Sequence, residues 1–477
     1  MPRFVQADAV DQPGEAVLLS YMRTPVSASG HSFRNDDGSP FFYLADTVWM
    51  LFNKLTEQDA RRLFEDRAAK GHTALESVVF GHRSEPNTPN VRGVKPYATA
   101  PHTRPVRRNQ RWISYVVKLT QVAAEYGLIM GLLPTWGDKW NEHSNSAGPV
   151  IMDTASARDY CRFLSDSLGE CDNVIWILGG DSPVQRQEYA DTIRAMAEGV
   201  RSGASGGRLM TVHPSGMGSS DLFHAEPWLD FNSLQTSHYK PNIPGYLSIE
   251  RLMTMQPAKP CLDMEPNYEL SPMFVMYGGS RETSFTPTFS AYDVRKSYYR
   301  TVLAGAAGFT YGCEPIRQLH RTGDRVHVFE RTDMITWDKA LSAPGSAQLK
   351  LLPQILRERS YFTRVPAGEL FLPLQQHGVW PDRMNVGIAS AGQQNTDPAS
   401  HISVARCTEG SYVMAYVPVR QLITLDTSGL TGSQVRVSLY DPDACENTHT
   451  WIESNAGHVR IVPERDLDTF VVIDSVQ

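Results

Sequence analysis

Short, mostly apolar runs alternate with longer runs of helical period along the first three quarters of this chain. The short runs are Phe41–Ala45, Ala74–Phe80, Leu128–Leu133, Val174–Leu178, Leu209–Val212, Leu229–Leu234, Pro260–Leu262 and Ala304–Thr310. A run that is apolar on successive positions suits a strand buried on both faces, as in a parallel sheet. Helical patterns lie between many of them. Thr56 opens a Thr-x-x-Asp capping pattern, Ala60, Leu63, Phe64 and Ala68 follow at helical spacing, and Gly71 stops the helix. Trp112, Tyr115, Val116, Leu119 and Ala123 form a second stripe that ends at Gly127, and a third runs from Ala157 to Leu168 before Gly169. Further helices are expected over Gln187–Val200 and Tyr292–Leu303. Strand–helix alternation repeated about eight times is the pattern of an α/β fold of the (β/α)8 TIM-barrel type. The fifth and sixth strands are the weakest, one short and the other interrupted by polar residues.

The pattern changes near residue 345. Ser346 to Tyr361 reads as a helical stretch restarted or kinked at Pro353. Strand-like segments follow at Gly368–Leu374, Ile402–Arg406, Ser411–Val417, Leu422–Asp426, Val435–Tyr440, Val459–Val462 and Thr469–Ile473, separated by turn residues. They predict a small β-sandwich. The expected organisation is an N-terminal segment 1–29, a barrel 30–345, a linking helix 346–365 and a C-terminal β-sandwich 366–477. Two loops exceed ordinary connectors: Gly81 to Arg108, rich in proline, and Glu265 to Ser290. Both follow barrel strands, so both are expected to wall a pocket at the functional end.

Composition narrows the class. A chain of 477 residues with 41% hydrophobic and 20% charged positions fits one large and one small globular domain. A net charge of −7 argues against nucleic acid or an anionic membrane as partner. No apolar stretch has the length of a spanning helix, and Met1 to Asp8 lacks the apolar core of a signal peptide. The expectation is a cytoplasmic protein, or a secreted one whose leader is absent from this chain. Six cysteines without a Cys-x-x-Cys pair do not make a disulfide framework in a chain this long. Cys261 and Cys313 read as buried thiols, while Cys407 and Cys445 could pair. Ligand spacing for zinc or calcium is missing, and no cofactor is implied.

The candidate chemistry lies at strand ends. Asp181 closes Asn173-Val-Ile-Trp-Ile-Leu-Gly-Gly-Asp181 after the fourth strand, and Glu265 closes Lys259-Pro-Cys-Leu-Asp-Met-Glu265 after the seventh. Charged residues at the C-terminal ends of barrel strands belong to the functional face. A carboxylate there would equally serve as a helix cap or an arginine partner, but two from different strands suit the acid and nucleophile of glycoside hydrolysis. Aromatic and polar residues follow the other strands: Asp46 and Trp49, Trp136 with Asp138, Lys139 and Trp140, His213, His238 and Tyr239, Tyr268, and Tyr311. Aromatic rings pack on the C–H faces of sugars, and the polar groups suit their hydroxyls. His213 and His238 without a third ligand do not define a metal site.

Several of these segments, in order, resemble the apiosidase-like family, glycoside hydrolase family 140. They are Phe42-Tyr-Leu-Ala-Asp46-Thr-Val-Trp49, Gly131-Leu-Leu-Pro-Thr-Trp136-Gly-Asp-Lys-Trp140-Asn141, Val174-Ile-Trp-Ile-Leu-Gly-Gly-Asp181, His213-Pro-Ser-Gly and Leu262-Asp-Met-Glu265-Pro. The resemblance covers about residues 30 to 365, and the C-terminal part resembles the β-domain, labelled collagen-binding, that often follows. It implies a clan A type of barrel with acid/base Asp181 and nucleophile Glu265, acting on a carbohydrate, with apiose of plant pectin as the family's associated sugar. Met264 stands where glycine is expected, and the two long loops depart from the usual pattern, which bears on the sugar and not on the chemistry. A retaining hydrolase is expected to hold its carboxyls about 5–6 Å apart. An inverting hydrolase using the same pair, and a non-catalytic carbohydrate- or matrix-binding protein on the same barrel, are the alternatives.

Overall fold

Eight parallel strands form the central barrel. The structure, a computed structural model, describes residues 30–82, 87–98, 108–142, 148–273, 287–324, 334–372 and 398–477. The barrel strands are β1 Tyr43–Thr47, β2 Ala74–Val78, β3 Ile129–Leu133, β4 Val174–Gly179, β5 Met210–His213, β6 Asn232–Leu234, β7 Cys261–Asp263 and β8 Gly308–Tyr311. Their order is β5-β4-β3-β2-β1-β8-β7-β6. The amide of Asp230 bonding the Met210 carbonyl at 2.9 Å, and Thr211 Oγ1 bonding the Phe231 carbonyl at 2.7 Å, join β5 to the segment entering β6. All eight expected strand runs thus carry a strand.

Alternate residues of each strand face opposite ways. Inward, Tyr43, Ala45, Val78, Ile129, Leu133, Ile175, Ile177 and Leu262 fill the barrel. Outward, Leu44, Leu75, Met130, Leu132, Trp176, Leu178 and Phe309 pack against the helices. Those helices are α1 Glu57–Ala69, α2 Gln110–Glu125, α3 Thr154–Ser167, α4 Gln187–Ser202, α5 Gly245–Met253 and α6 Ala291–Leu303. The capping box at Thr56 forms: Thr56 Oγ1 accepts from the Asp59 amide and Asp59 accepts from the Thr56 amide. Between β5 and β6 the connection is only a short 3-10 turn, Ser220–Phe223. At the N-terminal end, a hairpin of Phe33–Arg34 with Pro40–Phe41 sets Phe33 edge-on to Phe231 at 5.2 Å.

The stretch after the barrel divides into Gly345–Gln348 and α7, Leu351–Arg357, so the break precedes Pro353, which sits in the first turn where a missing amide costs no bond. The C-terminal strands are β9 Arg364–Pro366, β10 Ser403–Cys407, β11 Tyr412–Val417, β12 Ile423–Asp426, β13 Gln434–Asp441, β14 Glu446–Ser454, β15 His458–Ile461 and β16 Thr469–Val476. An antiparallel sheet in the order β9-β10-β11-β16-β13-β14 and the β12–β15 pair share one core, which includes Val413, Ala415, Val437, Val471, Ile423, Leu425, Val459 and Ile461.

One expected strand is absent, one strand is unexpected and one open pairing is decided. Residues 368–370 form a 3-10 turn and not a strand; Phe371 makes one bridge to Leu425, and positions 373 and 374 lie outside the described residues. Strand β14 was not expected, because an exposed edge reading Glu-Asn-Thr-His-Thr-Trp has no apolar alternation. Cys407 and Cys445 do not pair: Cys407 lies against Thr363, Cys445 lies against the Gln348 carbonyl, and both are free. The middles of the two long loops, 83–86, 99–107 and 274–286, lie outside the described residues, as does the segment 1–29. No helix among the described residues is long and apolar enough to cross a membrane.

Candidate active site

Asp181 is presented by an unusual turn. Gly179, Gly180 and Asp181 follow one another at φ of 84°, 115° and 44°. Glycine reaches such values without penalty; aspartate is held there by its surroundings. The turn is stitched to the segment after β3. Gly137 N donates to the Gly180 carbonyl at 2.9 Å, and Trp140 Nε1 donates to the Gly179 carbonyl at 3.2 Å. A Cβ at Gly180 would meet Gly137 N at 3.0 Å and the Thr135 carbonyl at 3.2 Å. The Gly-Gly-Asp sequence therefore brings the chain close to the β3 loop and leaves Asp181, half-buried, at the C-terminal end of β4.

Glu265 leaves the matching end of β7 on a loop pinned from both sides. Met264 N donates to the Leu234 carbonyl and Ser237 N to the Glu265 carbonyl, joining the loop to β6 and its continuation. Tyr311 Oη donates to Glu269 Oε2 at 2.6 Å, and Gly345 N to the same oxygen at 3.0 Å, joining it to β8 and beyond. The Glu265 side chain is buried. His213 Nε2 lies 3.1 Å from its Oε2 and His238 Nδ1 lies 3.9 Å from its Oε1. The His213 approach is off the N–H axis, so it is an ion-pair contact more than an aligned hydrogen bond. Burial opposes ionisation of Glu265, but His213, His238 and Arg317 together outweigh it and hold the carboxyl well below the usual range. His213 in turn lies in the fields of both Glu265 and Asp181.

Rings surround Glu265 and its two histidines. Trp49 and Trp136 lie 5.3 Å apart, and His213 is 5.5 Å from the first and 5.9 Å from the second. The Trp136 indole N–H is buried without a hydrogen-bond partner among the described residues. His238 stacks on Tyr268 at 4.6 Å, with Tyr239 on the same histidine at 6.2 Å. Trp49, Trp136, His213, His238, Tyr239 and Tyr268 thus gather with Glu265. Met264, fully buried, extends the interior cluster that contains Trp49 and Trp136.

The other expected residues turn elsewhere. Asp46 points into the helix layer, where Arg67 of α1 bonds it at 2.6 Å and both side chains are fully buried; burial pushes the Asp46 carboxyl up and Arg67 only partly offsets it. Tyr311 faces the same layer. Asp138 and Lys139 pair with each other at 2.9 Å, and Lys139 also bonds the Gly148 carbonyl, so they fix their own loop. Trp140 braces the Asp181 turn from the helix side. Two neighbours of the site were not expected. His82 lies 4.7 Å from Trp136, and its signal was its place just past the second strand. Arg317 bonds Glu314 and lies over Tyr268 at 5.8 Å; its sequence context carries no signal. Among the described residues no group of three or more histidine, cysteine or acidic side chains could hold a metal ion. A cleft between α5 and α6, lined by Thr236, Tyr246, Asn267, Lys296 and Arg300 among others, contains neither carboxylate.

The (β/α)8 barrel is the architecture of the clan A type of glycoside hydrolase. The chain belongs to the apiosidase-like family, whose catalytic-domain pattern matches residues 27–363. Its fold is that of a structure described as a glycoside hydrolase, at 22% identity, with 94% of this chain and 96% of that one covered and a TM-score of 0.79. A glycoside hydrolase family 5 structure from Bacteroides vulgatus ATCC 8482 matches at 21% identity over 95% and 94% of the two chains, also with a TM-score of 0.79. A structure described as a "putative glycoside hydrolase" from the same organism matches at 13% identity over 97% and 84%, with a TM-score of 0.62. Comparison with curated protein sequences finds no match.

Proposed function

We propose that the protein is a retaining glycoside hydrolase in which Glu265 is the nucleophile and Asp181 the acid/base. Glu265 attacks the anomeric carbon while Asp181 protonates the departing oxygen, giving a glycosyl-enzyme ester; Asp181 then deprotonates water, which releases the sugar and restores the carboxylate. One observation carries the assignment of roles. The Glu265 carboxyl is held ionised by His213, His238 and Arg317, as a nucleophile must be, whereas Asp181 is only partly buried on its own turn, as suits a group that exchanges protons with a leaving group and water. Membership of the family supports a terminal apiose-like pentose of a pectic or related glycan as the first substrate to try.

Leaving-group dependence tests the roles. Glu265→Ala removes the nucleophile and should abolish turnover of every glycoside. Asp181→Ala should lose natural glycosides by about 10²–10⁴-fold yet still glycosylate with an acidic phenol as leaving group, since little protonation is then needed. Equal loss on both kinds of substrate in Asp181→Ala would remove it from the acid role.

A further inference from the structure

We propose that His213 is a positioning residue for Glu265, an imidazolium fixed between the Pro214 carbonyl and the carboxylate, and not a ligand for the sugar. The proposal rests on the reading of Glu265 as nucleophile and extends it to the group that keeps it competent.

The ring's two contacts favour the second proton. His213 Nδ1 lies 2.9 Å from the Pro214 carbonyl oxygen, which can only accept, so Nδ1 carries a hydrogen. A neutral ring would then leave an unprotonated, electron-rich Nε2 only 3.1 Å from Glu265 Oε2. That contact is repulsive, whereas a protonated ring makes it an ion pair. The ring cannot turn away, because it is fully buried and flanked by Trp49 and Trp136.

The charged surroundings agree. Glu265 faces His213 from the β7 loop, Asp181 from the end of β4 and Glu76 from inside β2, while Trp49 and Trp136 supply neutral rings from the β1 and β3 loops, with His82 of the β2 loop packed behind them. His238 and Arg317 bear on Glu265 from the β6 loop and from beyond β8. Burial disfavours the cation, but the adjacent Glu265 carboxylate above all outweighs it and raises the His213 pKa. A positive charge at one carboxylate oxygen leaves the other oxygen to face the anomeric carbon. Once Glu265 becomes a neutral ester, the principal counter-charge of His213 is gone and its proton is held less tightly. The ring therefore registers the state of the nucleophile.

The test uses the full chain labelled with 15N-histidine, followed by long-range proton–nitrogen spectra from about pH 5 to 8. One histidine should keep both ring nitrogens protonated throughout. Its signal should vanish in His213→Gln, and in Glu265→Gln, a neutral stand-in for the ester, it should titrate within that range. A persistent imidazolium in His213→Gln, or no such histidine in the wild type, overturns the proposal. Should His213→Gln fail to fold, the wild-type and Glu265→Gln spectra decide alone. With an aryl glycoside that the wild type hydrolyses, the acid limb of kcat/KM in His213→Gln should move up by about one pH unit or more, with KM little changed. A raised KM on an unmoved limb would mean that the ring binds sugar. The spectra need no turnover, so they can fail while Glu265 stands as nucleophile; survival of activity in Glu265→Ala would instead remove the reading beneath.

Discussion

Inside the barrel, Tyr43 Oη and Thr310 Oγ1 donate to Glu76 Oε1 at 2.9 and 2.8 Å. Burial raises this carboxyl from 4.5 to about 7. The folded chain thus binds the proton more tightly than the unfolded one, so the contribution to stability is complete below about pH 4.5 and is lost as the pH rises through about 7. Glu76→Gln keeps an acceptor for both hydroxyls and cannot ionise. Urea denaturation should find it more stable than the wild type at about pH 8, by on the order of 2–3 kcal/mol, with the gap closing near pH 5. A constant gap would mean that Glu76 does not titrate in this window. Asp263, raised to about 7 by burial despite the Thr236 bonds, should leave a residual slope in both proteins. At this scale the sequence was legible for which residues lie at strand ends and not for where they point. Phe42 to Trp49 is apolar on both faces apart from Asp46 and Thr47, so inward and outward positions look alike. Ala45 proved to face the barrel, which sends Asp46 to Arg67, and the same parity sends Tyr311 to Glu269.

The turn after β4 is the element on which the account most depends. A methyl group at Gly180 would press on the backbone of Gly137, Thr135 and Trp136, and φ of 115° is unfavourable for alanine. Gly180→Ala should cost about 1–3 kcal/mol in stability and should lower kcat more than it raises KM, because Asp181 moves while the ring cluster stays. Unfolding curves and steady-state kinetics measure the two effects; a variant with normal kcat would show that the turn tolerates a different Asp181 position. Elements were legible where hydrophobic burial dictated them. The strong strands β1 to β4 and the helices α1 to α4 follow their apolar runs, and Gly71 and Gly127 take left-handed φ just past α1 and α2. The gap between β5 and β6 was illegible as a 3-10 turn because Gly/Ser-rich sequence has no period, and β14 because an exposed edge needs none.

At the scale of the molecule, barrel and β-domain meet through buried polar groups. Arg295 of α6 donates to both oxygens of Asp468 at 2.9 Å, Tyr416 Oη donates to the same carboxylate, and the Tyr299 and Tyr416 rings stack at 4.7 Å and 7°. Arg359 beyond α7 makes a second two-oxygen pair with Asp474. A seam this buried should make the two parts unfold together. Calorimetry should show one transition, and Asp468→Ala, which leaves the buried Arg295 cation only Gln348 and Asp443 as partners, should lower stability by about 1–3 kcal/mol without splitting it. Two resolved transitions in the wild type would contradict this. A barrel followed by a β part was legible from the change in pattern, but the seam was not: Arg295 and Asp468 stand 173 positions apart, and neither differs in sequence context from a surface residue.

The configuration of azide products tests the double-displacement mechanism most directly. Azide can enter the space vacated by either carboxylate. In Asp181→Ala, given a substrate with an acidic phenol, it should attack the glycosyl-enzyme and yield a glycosyl azide of retained configuration. In Glu265→Ala it should attack the substrate itself and yield the inverted azide. Proton NMR of the two products reads the anomeric configuration. The opposite pairing would reverse the roles of Asp181 and Glu265, and an inverted sugar from the wild-type reaction would contradict a covalent intermediate altogether.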